Sequence, residues 1–114
     1  MSTDQLTIEI LPGPDWVTLR LRGEIDMHTA PHLREAALCA TRQFSTTLHL
    51  HMGEVTFMDS TAVEVLVATR RRLDLEDGRL KVVNPSRQVL RVLELTGIDR
   101  LFEIESTPTS AGVA

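Results

Sequence analysis

A chain of 114 residues, 42% hydrophobic and 25% charged, has the length of one domain and the composition of a folded protein rather than a disordered one. Its formal charge of -4 excludes nucleic acid as the main partner, which would want a basic face, and no apolar run approaches the ~20 residues that span a bilayer. A single cysteine, Cys39, rules out an internal disulfide; the start Met1-Ser2-Thr3-Asp4-Gln5 lacks the basic residues and apolar core of a secretory signal, so a cytoplasmic protein without a membrane partner is expected.

Leu6, Ile8 and Ile10 alternate with polar residues as in a half-buried strand, and Trp16 to Leu21 alternates again. Between them Pro12-Gly13-Pro14-Asp15 is a strong turn signal, so the two strands should form a hairpin. After Gly23-Glu24-Ile25-Asp26, Thr29 is placed to cap a helix with Pro31 in its first turn, where a missing N–H costs nothing. Leu33, Ala36, Ala37 and Ala40 give that helix one apolar stripe, with Cys39 as a small residue among the alanines. Thr46 to Met52 is the next expected strand, followed by a loop through Gly53-Glu54.

A second helix is expected from Thr61 to Leu75, with Thr61 and Glu64 at capping-box spacing. Asp77-Gly78 ends it, and Leu80 to Val83 is a short strand. Asn84 is placed to cap a third helix with Pro85 at its first position, and Gly97 before Ile98 fits a left-handed C-terminal cap. Leu101 and Phe102 form a last short element, and Ser106 to Ala114 should fray. The order β-β-α-β-α-β-α predicts an α/β fold: a mixed sheet of about four strands covered by three or more helices. Val63, Leu66, Val67, Val89, Leu90 and Leu93 should be buried.

The run Val55-Thr56-Phe57-Met58-Asp59-Ser60-Thr61-Ala62-Val63 carries the chemistry. An apolar, β-branched segment stops at a carboxylate and two hydroxyls, and helical spacing begins at once. Free backbone N–H groups and the positive end of the helix dipole favour added negative charge there, so a phosphate on Ser60 is well placed. The plainer alternative is that Asp59, Ser60 and Thr61 only cap the helix. Ser60 lacks the glycine-flanked elbow and the base of a hydrolase nucleophile, so no enzyme is expected. His49 and His51 form an H-x-H pair on one strand face, but no third ligand recurs at a supporting spacing and His28 and His32 belong to another element; neither a metal nor a cofactor is expected. Arg70-Arg71-Arg72 is followed by Asp74, Glu76 and Asp77, which suits a solvated face near a helix C-terminus.

Three blocks carry a family likeness: Gly23-Glu24-Ile25-Asp26 with His28-Thr29-Ala30, then Phe57-Met58-Asp59-Ser60, then Asn84-Pro85-Ser86 with Leu95-Thr96-Gly97-Ile98. In this order, over Leu6 to Glu105, the chain resembles the anti-sigma factor antagonist family, the STAS domains. The resemblance implies a single domain over residues 1–114 with its core in 6–105, in a cytoplasmic bacterial regulator of transcription. Such a regulator binds an anti-sigma factor that is also a serine kinase, releases a sigma factor, and is switched off by phosphorylation of the serine after the motif aspartate. Here that serine is Ser60, and a phosphatase resets it. Asp26, Met58, Asp59, Thr61, Ala62 and Glu64 are the implied partner-binding residues. Three positions depart from the family pattern. Ala62 stands where glycine would let a partner's backbone approach, Glu64 where a small residue is usual, and His51 where aspartate or asparagine is common. These departures keep a second class open, a STAS domain that senses a ligand or scaffolds an assembly without being phosphorylated.

Overall fold

The structure, a computed structural model, describes residues 5–106. The period-two segments at the start become an antiparallel hairpin of β1 (Leu6–Pro12) and β2 (Val17–Ile25). Leu6, Ile8, Val17, Leu19 and Leu21 line its buried face, and Glu9, Arg20 and Arg22 alternate onto the other. β2 pairs in parallel with β3 (Thr47–Met58), β3 with β4 (Arg79–Val83), and β4 with β5 (Glu103–Glu105), so strand order follows chain order. The result is the expected α/β mixed sheet, with five strands instead of about four. The extra strand, Glu-Ile-Glu, is too short to show a period; beyond its backbone ladder, Arg79–Glu103 and Lys81–Glu105 pairs at 2.8 and 2.9 Å cross between β4 and β5.

α1 (Ala30–Gln43) buries Leu33, Ala36, Ala37 and Ala40, and lies over β1, β2 and β3. The small alanine side chains let it approach the sheet closely, and Cys39 is half-buried beside them. α2 (Ser60–Leu75) packs on β4, β3 and α1 through Ala62, Leu66, Thr69 and Leu73. α3 (Arg87–Leu95) sets Val89 and Leu93 against β3. Leu66, Val89 and Leu93 are thus buried as expected. Val63, Val67 and Leu90 are only half-buried, because each sits at the margin of its helix's apolar stripe.

Two local expectations change. Gly53-Glu54 is not a loop: β3 runs through it and takes up two extra residues against β2. Arg20 pairs with His51 but Arg22 with Glu54, and Gly23 pairs with Val55 but Glu24 with Phe57. Each insertion is a bulge, which breaks the alternation that would have marked a strand. The cap of α3 is Ser86, not Asn84: its hydroxyl accepts from Val89 N at 3.2 Å and donates to the Val55 carbonyl at 2.6 Å. Asn84 instead adopts a left-handed φ of 47° and donates its N–H to the Glu105 carbonyl. Gly97, at φ 76°, makes the left-handed turn expected after α3 and leads into a 3-10 helix at Ile98–Leu101 and the buried Phe102. Beyond Ser106, the segment expected to fray lies outside the described residues.

Candidate functional site

The parallel pairing of β2 and β3 brings their C-terminal ends together, since Ile25 is registered with Met58. The residue after each strand is an aspartate. Asp59 N donates to the Ile25 carbonyl at 3.2 Å, tying the two ends. Asp59 is also the cap of α2. Its extended backbone turns the carboxylate onto the helix, where Oδ1 accepts from Thr61 N at 2.9 Å and Ala62 N at 3.1 Å, and its carbonyl accepts from Val63 N at 3.2 Å. The expected capping box of Thr61 and Glu64 is therefore absent, because Thr61 already lies inside the helix. The amides of residues 61–63, expected to receive a phosphate, are engaged by Asp59.

Ser60 is the first residue of α2, and its side chain is exposed. Glu64, one helical turn on, is exposed as well, and Thr61 is half-buried. Met58 and Ala62 differ from the other implied partner-binding residues: at 4% and 0% exposure they face the core. Their side chains shape this corner from below, and the Ala62 methyl does not stand in a partner's way.

Asp26 organises the loop from β2 to α1. Its Oδ1 accepts from His28 N at 2.9 Å and Thr29 N at 3.1 Å. Thr29 occupies the expected cap position without capping: its hydroxyl accepts from Asp26 N and donates to the Glu24 carbonyl, both at 2.9 Å. Desolvation works to raise the Asp26 pKa, but the two N–H groups and the neighbouring His28 outweigh it and hold the carboxyl below its usual range. Asp26 and Asp59 thus stand at adjacent strand ends beside Ser60, each with its carboxylate tied to backbone amides.

Two exposed apolar side chains at the same end escaped the sequence reading. Met27 is 65% and Phe57 47% exposed. Met27 sits in a turn with no period to mark it. Phe57 is turned outward by the second β3 bulge, which leaves Thr56 and Phe57 both on the surface and Met58 inside. The histidine pair lies elsewhere on the sheet. His49 stacks on Trp16 with centroids 5.1 Å apart, and burial, followed by the charge of Lys81, lowers its pKa. His51 Nδ1 is buried without a hydrogen-bond partner among the described residues. Among those residues no three His, Cys, Asp or Glu side chains gather as metal ligands.

Comparison with known proteins agrees with this fold. The STAS domain family matches residues 5–111. The anti-sigma-B factor antagonist of Bacillus subtilis (strain 168) is 29% identical over 108 residues, covering 95% of this chain and 97% of that protein. An anti-sigma factor antagonist from Mycobacterium paratuberculosis superposes with a TM-score of 0.81 at 28% identity, covering 98% of this chain and 95% of that one. The anti-sigma factor antagonist SpoIIAA in its unphosphorylated form gives a TM-score of 0.75 at 25% identity, over 94% of this chain and 93% of that one.

Proposed function

This chain belongs to the STAS domain family, and on that premise we propose that it is a cytoplasmic anti-sigma factor antagonist, not an enzyme, switched by phosphorylation of Ser60. The partner is an anti-sigma factor with serine kinase activity, and a phosphatase removes the phosphate. The observation that carries this reading is the placement of Ser60: exposed, first in α2, directly after an aspartate whose carboxylate already occupies the amides of Thr61 and Ala62. The names of the relatives and the solved unphosphorylated form of SpoIIAA support it.

The local chemistry explains how such a switch acts. With those helix donors engaged, a phosphate on Ser60 adds a charge of about -1.5 to -2 that the helix end does not absorb. It stands among Asp59, Glu64 and Asp26 and makes the corner strongly acidic. Met27 and Phe57 offer the apolar contact that an unphosphorylated surface presents to a partner, and like charge then keeps that contact from closing. The fold need not change.

Isothermal calorimetry against the cognate anti-sigma kinase tests this reading. Ser60→Ala should bind as wild type and accept no phosphate, and Ser60→Asp should bind at least tenfold more weakly, about 1.4 kcal/mol. Equal binding of Ser60→Asp, together with kinase labelling at another residue, would reduce Ser60 to a plain helix-start residue.

A further inference from the structure

The groove between α1 and α2 has a composition at odds with the acidic chain around it. It encloses about 360 Å³ and is lined by Arg34, Leu38 and Arg42 from α1 and by Ala68, Thr69 and Arg72 from α2. The α1 residues recur at intervals of four, as one helix face requires, and the α2 residues recur at one and three. Arg72 is held in place: Nη2 donates to the Thr41 hydroxyl at 3.1 Å across the groove, and Nη1 lies 3.6 Å from Glu76. Thr41 is itself fixed, its hydroxyl donating to the Ala37 carbonyl at 2.8 Å. Arg72 is therefore not simply part of a solvated face. Arg34 and Arg42 are exposed, and neither has a carboxylate within ion-pair distance among the described residues. Three guanidinium groups, one anchored and two free, thus edge a groove with buried Thr69 at its base and Leu38 and Ala68 on its sides, and among the described residues no acidic side chain lines it.

We infer that this groove is a docking site for an extended acidic segment of the partner protein, with Arg34, Arg42 and Arg72 receiving its carboxylates. Guanidinium groups suit carboxylates because their paired donors match both oxygens. Arg34 and Arg42 are eight residues apart on one helix, about 12 Å along the axis. An extended chain rises about 3.3 Å per residue, so acidic residues three or four apart match that spacing. Leu38 and Ala68 would meet the methylenes between. Nucleic acid fits poorly, since a chain of charge -4 repels a polyanion overall and this strip offers only three cations against it. α2 carries Ser60 at its start and Ala68 and Arg72 on later turns, so one partner can engage both places. The inference rests on the proposed function only in assigning the segment to the anti-sigma kinase.

Two measurements test it. First, titrate the isotope-labelled protein, observed by amide NMR, with a capped five-residue peptide that has glutamates at both ends and glycine-serine-glycine between. The amides of Leu38, Ala68 and Thr69 should shift, the glutamine version of the peptide should leave them unmoved, and the shifts should weaken as salt rises. Arg34→Glu combined with Arg42→Glu, both at exposed positions, should keep the melting temperature and weaken the peptide at least tenfold. Ser60→Asp should leave this titration unchanged, which separates failure here from failure of the phosphorylation reading. Second, the double variant should bind the cognate kinase at least tenfold more weakly while Ser60 remains the labelled residue. Shifts that are absent or scattered, equal response to the glutamine peptide or to an eight-nucleotide thymidine strand, or unaltered kinase binding by the double variant would overturn the inference.

Discussion

Replacing Asp59 by alanine isolates the part of the site that is structural. The substitution removes the acceptor for Thr61 N and Ala62 N, at 2.9 and 3.1 Å, and leaves the backbone bond to Ile25 in place. Loss of a helix cap costs about 1 kcal/mol, and loss of a negative charge from a helix N-terminus about 0.3–1 kcal/mol more. A total near 2 kcal/mol lowers the melting temperature of a domain this size by roughly 6–10 °C. Asp59→Asn keeps an oxygen acceptor and loses only the charge, so its drop should be near 1–5 °C. Raising the salt to about 1 M, where the Debye length falls to about 3 Å, should shrink the asparagine effect but not the rest of the alanine effect. Calorimetric melting of the three proteins at both salt concentrations decides the matter. Equal stability of Asp59→Ala and wild type, or equal loss in both variants, would refute the assignment of Asp59 as the cap of α2.

Gly23→Ala should cost at least about 3 kcal/mol in urea unfolding with an unchanged m value, because φ is +113° and the new Cβ would overlap the Gln5 carbonyl oxygen. Gly97→Ala should cost only about 1–2 kcal/mol, since its φ of +76° opposes a side chain but nothing lies within 4 Å of the new atom; equal losses at the two positions would refute the reasoning. Trp16, the single tryptophan, should report the protonation of the His49 ring stacked on it. Its emission should titrate with a midpoint below the ordinary 6.5, the direction set by burial and then by Lys81, and His49→Gln should abolish the titration. Because the folded pKa is lowered, folding disfavours the proton, so His49 withdraws stability as pH falls through the unfolded value.

Apolar period was enough to reveal the hairpin, the alanine stripe of α1 and the extent of α2, and Gly97 announced the end of α3 through its conformational freedom. What stayed hidden depends on backbone direction or on contact between distant segments. Asp59, Ser60 and Thr61 are all competent caps by composition; only the extended backbone at Asp59, φ −108° and ψ −173°, decides which one bends onto the helix. The bulges in β3 disguised Gly53-Glu54 as a loop and turned Phe57 outward. The family motif named Met58 and Ala62 as partner residues, but a motif marks positions and not the direction of a side chain, and both face the core. The arginine groove was out of reach for a similar reason: its residues come from two helices, about thirty positions apart, and Arg72 was legible only as one of three neighbouring cations.

Because every strand lies beside the one that precedes it in the chain, each new strand finds its template already made. The initial hairpin closes over a short turn. Leu50 then pairs 31 residues back with Leu19, and Val82 pairs 32 residues back with Leu50. No strand must wait for a later segment to fill a gap at its side. A chain leaving the ribosome from its N-terminus can therefore add one strand-helix unit at a time, exposing a single growing edge, and the sheet ends on a three-residue strand flanked by glutamates that gives a stray chain little to extend.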